Sequence, residues 1–445
     1  MNTPSEDKPA VVPLGDKQAE EIRARWAWVE PTVWTERMLT ALERGVKGNR
    51  WFSLIDKVAR LDTLMSAWAK VQSNAGGCGV DGITIDRFAK DSLNGLLVLK
   101  EQLHAATYRP RPVKRVWIPK PGTKQKRPLG IPTVRDRIVQ TALRMVIEPI
   151  FEHTFAAHSY GFRPGRGCKD ALRRVQALLN EGNVWVVDAD LKSYFDTIPK
   201  EQLMARVEER IADGRVLALI RSYLEQGVMD GYSYCEAGEE GTPQGSVISP
   251  LLANVYLNPL DHLMAQKGCE MVRYADDFVI LCRSREAAEA ALAHVTTWVE
   301  ENGLRLHPEK THIVDATQPG GFDFLGFHFE RGYRWPRRKS FAGLKDRIRE
   351  MTPRCYGHSL EYCIGKLNVV LRGWFEYFKH AHRTTFPRVD GFVRRRLRSL
   401  LRKRQGKRGL SARSREDHAR WSNHYFTERG LFSLTQAHAS ACRSP

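Results

Sequence analysis

The pattern of hydrophobic and polar positions divides the chain into a middle of alternating strands and helices and a helical C-terminal third. Hydrophobic residues on both sides of two adjacent acids in RYADDFVIL, residues 273–281, predict two buried strands joined by a tight turn. VWVVDADLKSYFD, residues 184–196, predicts another buried strand. Further along, Leu371, Trp374 and Phe375 fall at helical spacing, so these side chains are expected in a helical core.

Acidic residues stand where the predicted strands end. Asp188 and Asp190 lie two positions apart and share one face of their strand, whereas the adjacent Asp276 and Asp277 reach one place only if the chain turns beside them. Aspartate suits tight turns, so the second pair alone does not distinguish a turn from a metal site. An aspartate within an apolar strand is costly unless it is paired or binds a cation. A strand acid facing a hairpin acid would form a two-metal site for phosphoryl transfer.

The composition indicates a polyanionic partner. Lysine and arginine number 70 against 51 aspartates and glutamates in 445 residues, which gives a net charge of +19 and favours nucleic acid binding. No apolar run approaches the roughly 20 residues that a spanning helix needs, and the N-terminus has no apolar signal core, so no membrane partner is expected. Eight cysteines without a CxxC pair predict free thiols in a reducing, cytoplasmic compartment rather than a zinc ribbon or a disulfide framework.

Basic residues concentrate in three segments. RRRLRSLLRKRQGKR, residues 394–408, holds nine basic residues and no acidic one. IPKPGTKQKRPLGIP, residues 118–132, predicts a basic loop between two strands, and SYGFRPGRGCKDAL, residues 159–172, predicts a basic loop ahead of a helix that suits phosphate contacts. From the residues alone, each segment is either a nucleic acid contact or a solvated basic surface.

The order of the motifs resembles that of the reverse transcriptases encoded by mobile group II introns, the intron maturases. The similarity runs from about residue 50 to the C-terminus and consists of eight blocks in the same order: GVDGITIDRF, IPKPGTKQKRPLGIP, SYGFRPGRGCKDAL, VVDADLKSYFD, GTPQGSVISPLLANVYLNPLD, RYADDFVIL, GLRLHPEKTHIV and FDFLGFHF. Many relatives add an HNH endonuclease with paired cysteines, and the sequence up to Pro445 contains no such cysteine pairs. The resemblance is therefore to lineages that lack this domain.

This resemblance implies an α+β fold of the right-hand polymerase type. A helical extension is expected over residues 1–60, and fingers and palm with the Asp-Asp hairpin over 61–330. A helical thumb, called domain X in maturases, is expected over 331–400, followed by a short basic tail that resembles the DNA-binding tail of the family over 401–445.

The resemblance also implies roles for individual residues. Asp190, Asp276 and Asp277 are expected to be catalytic and to bind two Mg²⁺ ions; Asp190 is preferred over Asp188 because an aromatic residue, Phe195, lies five positions downstream. Phe195 would pack under the sugar of the incoming nucleotide and exclude a 2′-hydroxyl, with a core position beside Tyr194 as the alternative. The other expected nucleotide contacts are Lys120, Arg127, Gln244, Gly245 and Lys310. The expected nucleic acid contacts are Arg163, Arg166, Lys169, Arg394, Arg395, Arg396 and Arg398.

The implied reaction is RNA-templated DNA synthesis, in which a primer 3′-hydroxyl attacks the α-phosphate of a deoxynucleoside triphosphate. The implied partners are group II intron RNA, whose splicing and target-primed mobility the chain would assist, together with target DNA and a primer strand; a homodimer stays open. Two alternatives remain. One is a free-standing reverse transcriptase recruited for host defence or repair, and the other is a maturase that only assists splicing, which the three intact acids disfavour.

Overall fold

The computed structural model describes residues 16–119, 126–242, 245–406 and 415–442. Lys120 and Gln244, two of the expected nucleotide contacts, lie outside these ranges. Within them, strands and helices alternate through the middle of the chain and helices dominate the last third, which confirms the predicted α+β class.

Helices form the N-terminal part and pack onto the middle of the chain. Trp26 and Trp34 are buried, and the indole of Trp34 donates to the carbonyl of Met145 at 3.1 Å. The described residues of the expected N-terminal extension therefore share a hydrophobic core with the middle of the chain. The helices are α1 Asp16–Arg25, α2 Glu36–Arg44, α3 Ile55–Val58, α4 Leu61–Asn74, α5 Ile85–Ala89 and α6 Ser92–His104.

The middle of the chain builds two four-stranded sheets. Its elements are β1 Val113–Pro119, β2 Lys126–Ile131, α7 Val134–Glu152, α8 Cys168–Asn180, β3 Trp185–Asp190, α9 Tyr194–Thr197, α10 Lys200–Glu208, α11 Gly214–Leu224, β4 Val228–Asp230, β5 Ser233–Cys235, α12 Ser249–Gln266, β6 Glu270–Tyr274, β7 Asp277–Cys282, α13 Arg285–Glu301 and β8 His312–Asp315. The first sheet has the order β2-β1-β4-β5, in which β1 and β2 are antiparallel and β4 runs parallel to β1. The predicted strands on both sides of the basic loop are thus confirmed, while residues 120–125 lie outside the described ranges.

The central sheet has the order β6-β7-β3-β8 and is antiparallel throughout. Side chains alternate along a strand, so Val187 and Ala189 of β3 face one hydrophobic core, while Val186 faces a second core on the other side of the sheet. Helix α13 contacts the sheet on the first side, and α8 packs against β6 on the second. This sheet therefore carries the acidic residues of the candidate site.

The C-terminal part packs on the second core. A small sheet with the order β11-β10-β9 precedes a group of helices. Leu371 and Phe375 are buried, which confirms the predicted helical core. The elements are β9 Phe322–Phe324, β10 Phe327–Glu330, β11 Tyr333–Pro336, α14 Arg338–Met351, α15 Leu360–Phe378, α16 Thr385–Arg404, α17 Arg415–Arg420, α18 Asn423–Glu428 and α19 Leu434–Ala441.

One of the expected domain boundaries divides a hairpin of this part, and another falls inside a helix. The boundary between 330 and 331 lies in the β10–β11 hairpin, and the boundary between 400 and 401 lies within α16. Trp421 and Phe426, from the expected tail, are buried in the same core as α15 and α16.

All eight cysteines are free thiols, as predicted. In the part of the chain that the structure describes, none of the helices combines the length and the apolar character needed to cross a bilayer.

Candidate active site

The three expected catalytic acids lie at one end of the central sheet. Strands β3 and β7 are neighbours, and Asp190 stands directly opposite Asp277 in their register. Tyr274 pairs with Asp277 across β6 and β7, so Ala275 and Asp276 form a two-residue turn and the predicted hairpin is confirmed. Ala275 has a φ of +61°, in the left-handed region. The turn places Asp276 beside the pair that the sheet brings together.

The acids are half-buried close to one another, and their charges interact. Burial, followed by the charges of Asp188, Asp190 and Asp276, raises the pKa of Asp277 to about 7. Burial likewise raises the pKa of Asp276. For Asp188, burial and then the charges of Asp323 and Asp190 raise the pKa to about 7. Carboxylates that repel one another where water is partly excluded are stabilised by protonation or by binding a metal cation.

Lys310 supplies a cation at this end of the sheet. Its ammonium forms an ion pair with one carboxylate oxygen of Asp190, although the lysine side chain is itself largely exposed. Among the described residues, no three histidine, cysteine or acidic side chains stand in an arrangement that would already hold a metal ion. The donor set is nevertheless chemically suited to Mg²⁺, because carboxylate oxygens are the hard ligands that this ion prefers.

The loop before α12 approaches the first sheet. Gly245 has a φ of +101°, and a Cβ atom there would lie 2.2 Å from the carbonyl oxygen of Gly130 on β2. Only glycine fits this conformation and this contact. Arg127 lies exposed on the same strand, three positions before Gly130. Gly245 and the strand that carries Arg127 are therefore brought together.

Phe195 lies on α9, shortly after Asp190, and is half-buried. Its ring meets that of Tyr194 edge to face at 5.5 Å and packs against the first core. Its carbonyl accepts from the amide of Thr242 at 2.7 Å, which links α9 to the loop that leads to Gly245. The ring is partly exposed as well as packed, so its position is compatible with both roles considered for it.

Arg163 was expected to contact nucleic acid, but it does not face solvent. Its guanidinium is buried, binds both carboxylate oxygens of Glu152 and donates to the carbonyls of Ala156 and Ser159. With its donors used inside the protein, Arg163 holds its own loop rather than a phosphate. Arg166 and Lys169 lie in the same region and are half-buried.

Among the arginines of α16 that were expected to contact nucleic acid, some also have partners inside the protein. Arg398 is buried and donates to the carbonyl of Trp421 at 2.8 Å and to Oδ1 of Asn423 at 2.9 Å, so it joins α16 to the last helices and is not an outward-facing nucleic acid contact. Arg396 is half-buried and donates to Thr352. Arg394 is half-buried and Arg395 is exposed.

Sequence reasoning missed Arg273. This residue lies on β6, immediately before Tyr274, and is fully buried although it carries a charge. An arginine among the apolar residues of a predicted buried strand was the available signal, because such a residue needs internal partners.

Comparisons with known proteins identify the family. Residues 118–329 match the family described as "Reverse transcriptase (RNA-dependent DNA polymerase)", and residues 342–421 match "Group II intron, maturase-specific domain". Protein YkfC of Escherichia coli K12 is 34% identical over 347 residues, which cover 69% of this chain and 86% of that protein. The chain belongs to the group II intron reverse transcriptase and maturase family. This reverse transcriptase is also 36% identical to the group II intron-encoded protein LtrA of Lactococcus lactis over 209 residues, 46% of this chain and 34% of LtrA.

A further relative is the uncharacterized 91 kDa protein in the cob intron of Schizosaccharomyces pombe. It is 36% identical over 322 residues, which cover 59% of this chain and 39% of that protein. The reverse transcriptase thus spans most of YkfC but well under half of LtrA and the fission yeast protein. The expected family, the reverse transcriptase fold and the polymerase class of enzyme are confirmed.

Proposed function

We propose that this reverse transcriptase copies RNA into DNA at the site formed by Asp190, Asp276 and Asp277. The observation that carries the proposal is the register of the central sheet, in which Asp190 stands opposite Asp277 and next to the turn that holds Asp276. A polymerase needs several carboxylates at one point, because two metal ions must lie beside the transferring phosphoryl group.

The three acids would hold Mg²⁺, which when bound supplies a Lewis acid that neutralises the charge developing on the phosphoryl group. The residues around them bind and orient the nucleotide. Arg127 can grip phosphate oxygens with two donors, as guanidinium groups do. Lys310 already neutralises Asp190 and adds positive charge next to the place where a triphosphate would lie.

The decisive test compares the loss of Asp190 or Asp276 with the loss of Asp188, which lies on the same face of β3 as Asp190. Asp190→Asn and Asp276→Asn each remove a charge while nearly preserving shape, so primer extension on an RNA template should fall by orders of magnitude. Asp188→Asn is the matched control, since Asp188 lies two residues before Asp190 and stands opposite Val279 rather than Asp277. It should retain most of the rate. Near wild-type extension by Asp276→Asn would remove Asp276 from the mechanism.

We further propose that the enzyme binds group II intron RNA through its C-terminal helices and so assists splicing and mobility. Support comes from a surface that we call the basic helical face, formed by Lys345 and Arg349 of α14 and by Arg388 and Arg395 of α16. Lys345 and Arg388 lie over the ring of Phe341 at 4.4 and 5.7 Å. Arg349 and Arg395 lie over Phe392 at 5.5 and 5.2 Å. Cations arranged around aromatic rings suit both phosphates and unpaired bases.

The same proposal extends to the partners and location. Target DNA and its primer strand would follow the basic segment that includes Arg166 and Lys169, and residues 401–445 would contribute to DNA binding. The match of residues 342–421 to the maturase-specific domain supports the RNA role, because this region contains α15 and α16 and most of α14. A cytoplasmic location would suit a protein whose eight cysteines are free thiols.

A further inference from the structure

A buried arginine lies directly behind the turn that carries Asp276. Arg273 has none of its surface exposed. Its Nε and Nη2 donate to the two carboxylate oxygens of Asp261 at 2.7 and 2.5 Å. Its Nη1 donates to Oδ1 of Asn254 and to the carbonyl of Ala275, both at 2.9 Å. One guanidinium thus ties two residues of α12 to the peptide that directly precedes Asp276.

Asn254 continues this network to the other side of the turn. It is buried, and its amide nitrogen donates to the carbonyl of Gly161 at 2.8 Å. The backbone of Gly161 lies against the turn so closely that a Cβ atom there would be 2.3 Å from the nitrogen of Ala275. The backbone of Arg273 also pairs with this segment, since its carbonyl accepts from Tyr160 at 2.9 Å and its amide donates to His158 at 3.0 Å. The turn is therefore held from α12 and from the loop before α8.

Stability alone does not account for this arrangement. Taking a guanidinium and a carboxylate out of water is costly, and apolar side chains of similar volume often stabilise a protein equally well or better. What the bidentate pair with Asp261 supplies is a fixed direction for the guanidinium. Ala275 has a φ of +61°, and a non-glycine residue in the left-handed region keeps that conformation only when its surroundings determine it.

We propose that Arg273, Asn254 and Asp261 are positioning residues that hold the carbonyl of Ala275 and thereby fix Asp276 and Asp277 for nucleotide addition. They bind the backbone of the turn and not the carboxylates, so they act on Asp276 and Asp277 only through the position of the turn. This inference rests on the proposed polymerase function.

The test is Arg273→Lys. Lysine keeps the charge and can reach Asp261, but a single ammonium cannot bind both carboxylate oxygens, Asn254 and Ala275 at once. We expect kcat for single-nucleotide addition to fall roughly 10- to 100-fold, because small misplacements of catalytic groups cost rates of this order. The dissociation constant for the primer–template duplex should stay unchanged, since the network lies behind the turn. Titration with Mn²⁺, followed by electron paramagnetic resonance, should show weaker binding.

Arg144→Lys is the matched control. Arg144 of α7 also binds a buried carboxylate through two donors, Nε and Nη2 to Glu148, and has no part in the network around the turn. It should lower the melting temperature without lowering kcat or Mn²⁺ affinity at a temperature where the protein is folded. If Arg273→Lys does not fold, Asn254→Ala provides the test, because it leaves the Arg273–Asp261 pair intact and should lower kcat and Mn²⁺ affinity in the same direction.

Rates and Mn²⁺ affinities in the folded variant that fall no further than those of Arg144→Lys would overturn the inference. Failure of the proposed function gives a different result, since the wild-type protein itself would then extend no primer. In that case the Mn²⁺ titrations alone decide, and equal affinity of wild type and Arg273→Lys would reject the positioning role.

Discussion

Phe195 lies half-buried between Tyr194 and the loop of Thr242, five residues after Asp190. If its ring lies under the sugar of the incoming nucleotide, Phe195→Ala opens space beneath the 2′-carbon. We expect the ratio of ribonucleotide to deoxynucleotide incorporation to rise, measured by single-nucleotide extension with each substrate. Tyr194→Phe is the control, because it removes only a buried hydroxyl that donates to Ala253 and should leave the ratio unchanged. An unchanged ratio in a folded Phe195→Ala protein would make Phe195 a core residue.

Gly161 offers a second prediction for a single residue. An alanine there would place its Cβ 2.3 Å from the nitrogen of Ala275, which is impossible without moving the catalytic turn. Gly161→Ala should therefore lower the rate of nucleotide addition strongly. Gly167→Ala is the control from the same loop, since its Cβ would meet only Oδ2 of Asp170, at 3.9 Å. Equal rates for the two variants in primer extension would show that the turn tolerates displacement.

The difference between Asp190 and Arg163 shows what a sequence can predict about single residues. An aspartate in an apolar strand is unusual by itself, so local pattern marked both Asp188 and Asp190, and the resemblance to reverse transcriptases then selected Asp190. An arginine in a glycine-rich loop has the same local pattern whether it faces phosphate or a buried acid. Arg163 meets Glu152 eleven positions earlier, and Arg398 of α16 meets the carbonyl of Trp421, which lies between α17 and α18. Those partners depend on tertiary packing, which the local sequence does not contain.

Among the elements, the hairpin of β6 and β7 could be predicted because its hydrophobic runs and turn are adjacent in sequence. Its pairing with β3 joins residues that lie far apart, such as Asp190 and Asp277, and no local signal sets that register. Strands β4 and β5 were not predicted at all. They are only three residues long, and β5 is exposed along its length, so the alternation that reveals a strand is missing.

The last helix is held by one buried acid, which gives a prediction for an element. Asp390 of α16 accepts from the amide of Leu434 at 3.0 Å, the hydroxyl of Ser433 at 2.9 Å, and the amide and hydroxyl of Thr435 at 3.1 and 2.7 Å. Each donor that loses its partner costs about 1–3 kcal/mol when buried. Asp390→Ala should therefore release α19, seen as faster hydrogen exchange in residues 434–441.

The control for this prediction is Asp346→Ala, which removes an exposed acid of α14 that pairs with Arg349 of the same helix. Exposed pairs of this kind contribute about 0–1 kcal/mol, so exchange in α19 should not change. Extension of a short primer should persist in Asp390→Ala, because Asp390 is on α16 and not in the central sheet. Unchanged exchange in α19 would show that apolar packing of Leu434 is sufficient to dock the helix.

At the scale of the whole molecule, two hydrophobic cores lie on opposite faces of the central sheet. The N-terminal helices share the first core, and the C-terminal helices share the second with β3, β6 and β7. The sheet that carries the acids thus shares a hydrophobic core with the helices that form the basic helical face. Composition predicted a polyanionic partner, but only the packing of α14 against α16 shows which cations gather around Phe341 and Phe392.

The final prediction concerns RNA binding by the whole enzyme. Each phosphate contact that is lost reduces the slope of log affinity against log salt by about 0.7 to 0.9. The double variant Arg388→Gln, Arg395→Gln should therefore flatten the slope for group II intron RNA by up to about 1.4 to 1.8. The measurement is a binding titration at several salt concentrations.

Two controls separate specific contacts from net charge and from catalysis. Arg221→Gln combined with Arg285→Gln removes the same charge from surface arginines that pair with Glu201 and Glu289, and should leave the slope unchanged. Asp276→Asn should bind RNA with the wild-type slope and make no DNA. The Arg388 and Arg395 variant should still extend a preannealed primer at saturating protein, because the acids are intact. A slope equal to that of the Arg221 and Arg285 variant would mean that the basic helical face is only solvated and that intron RNA binds elsewhere.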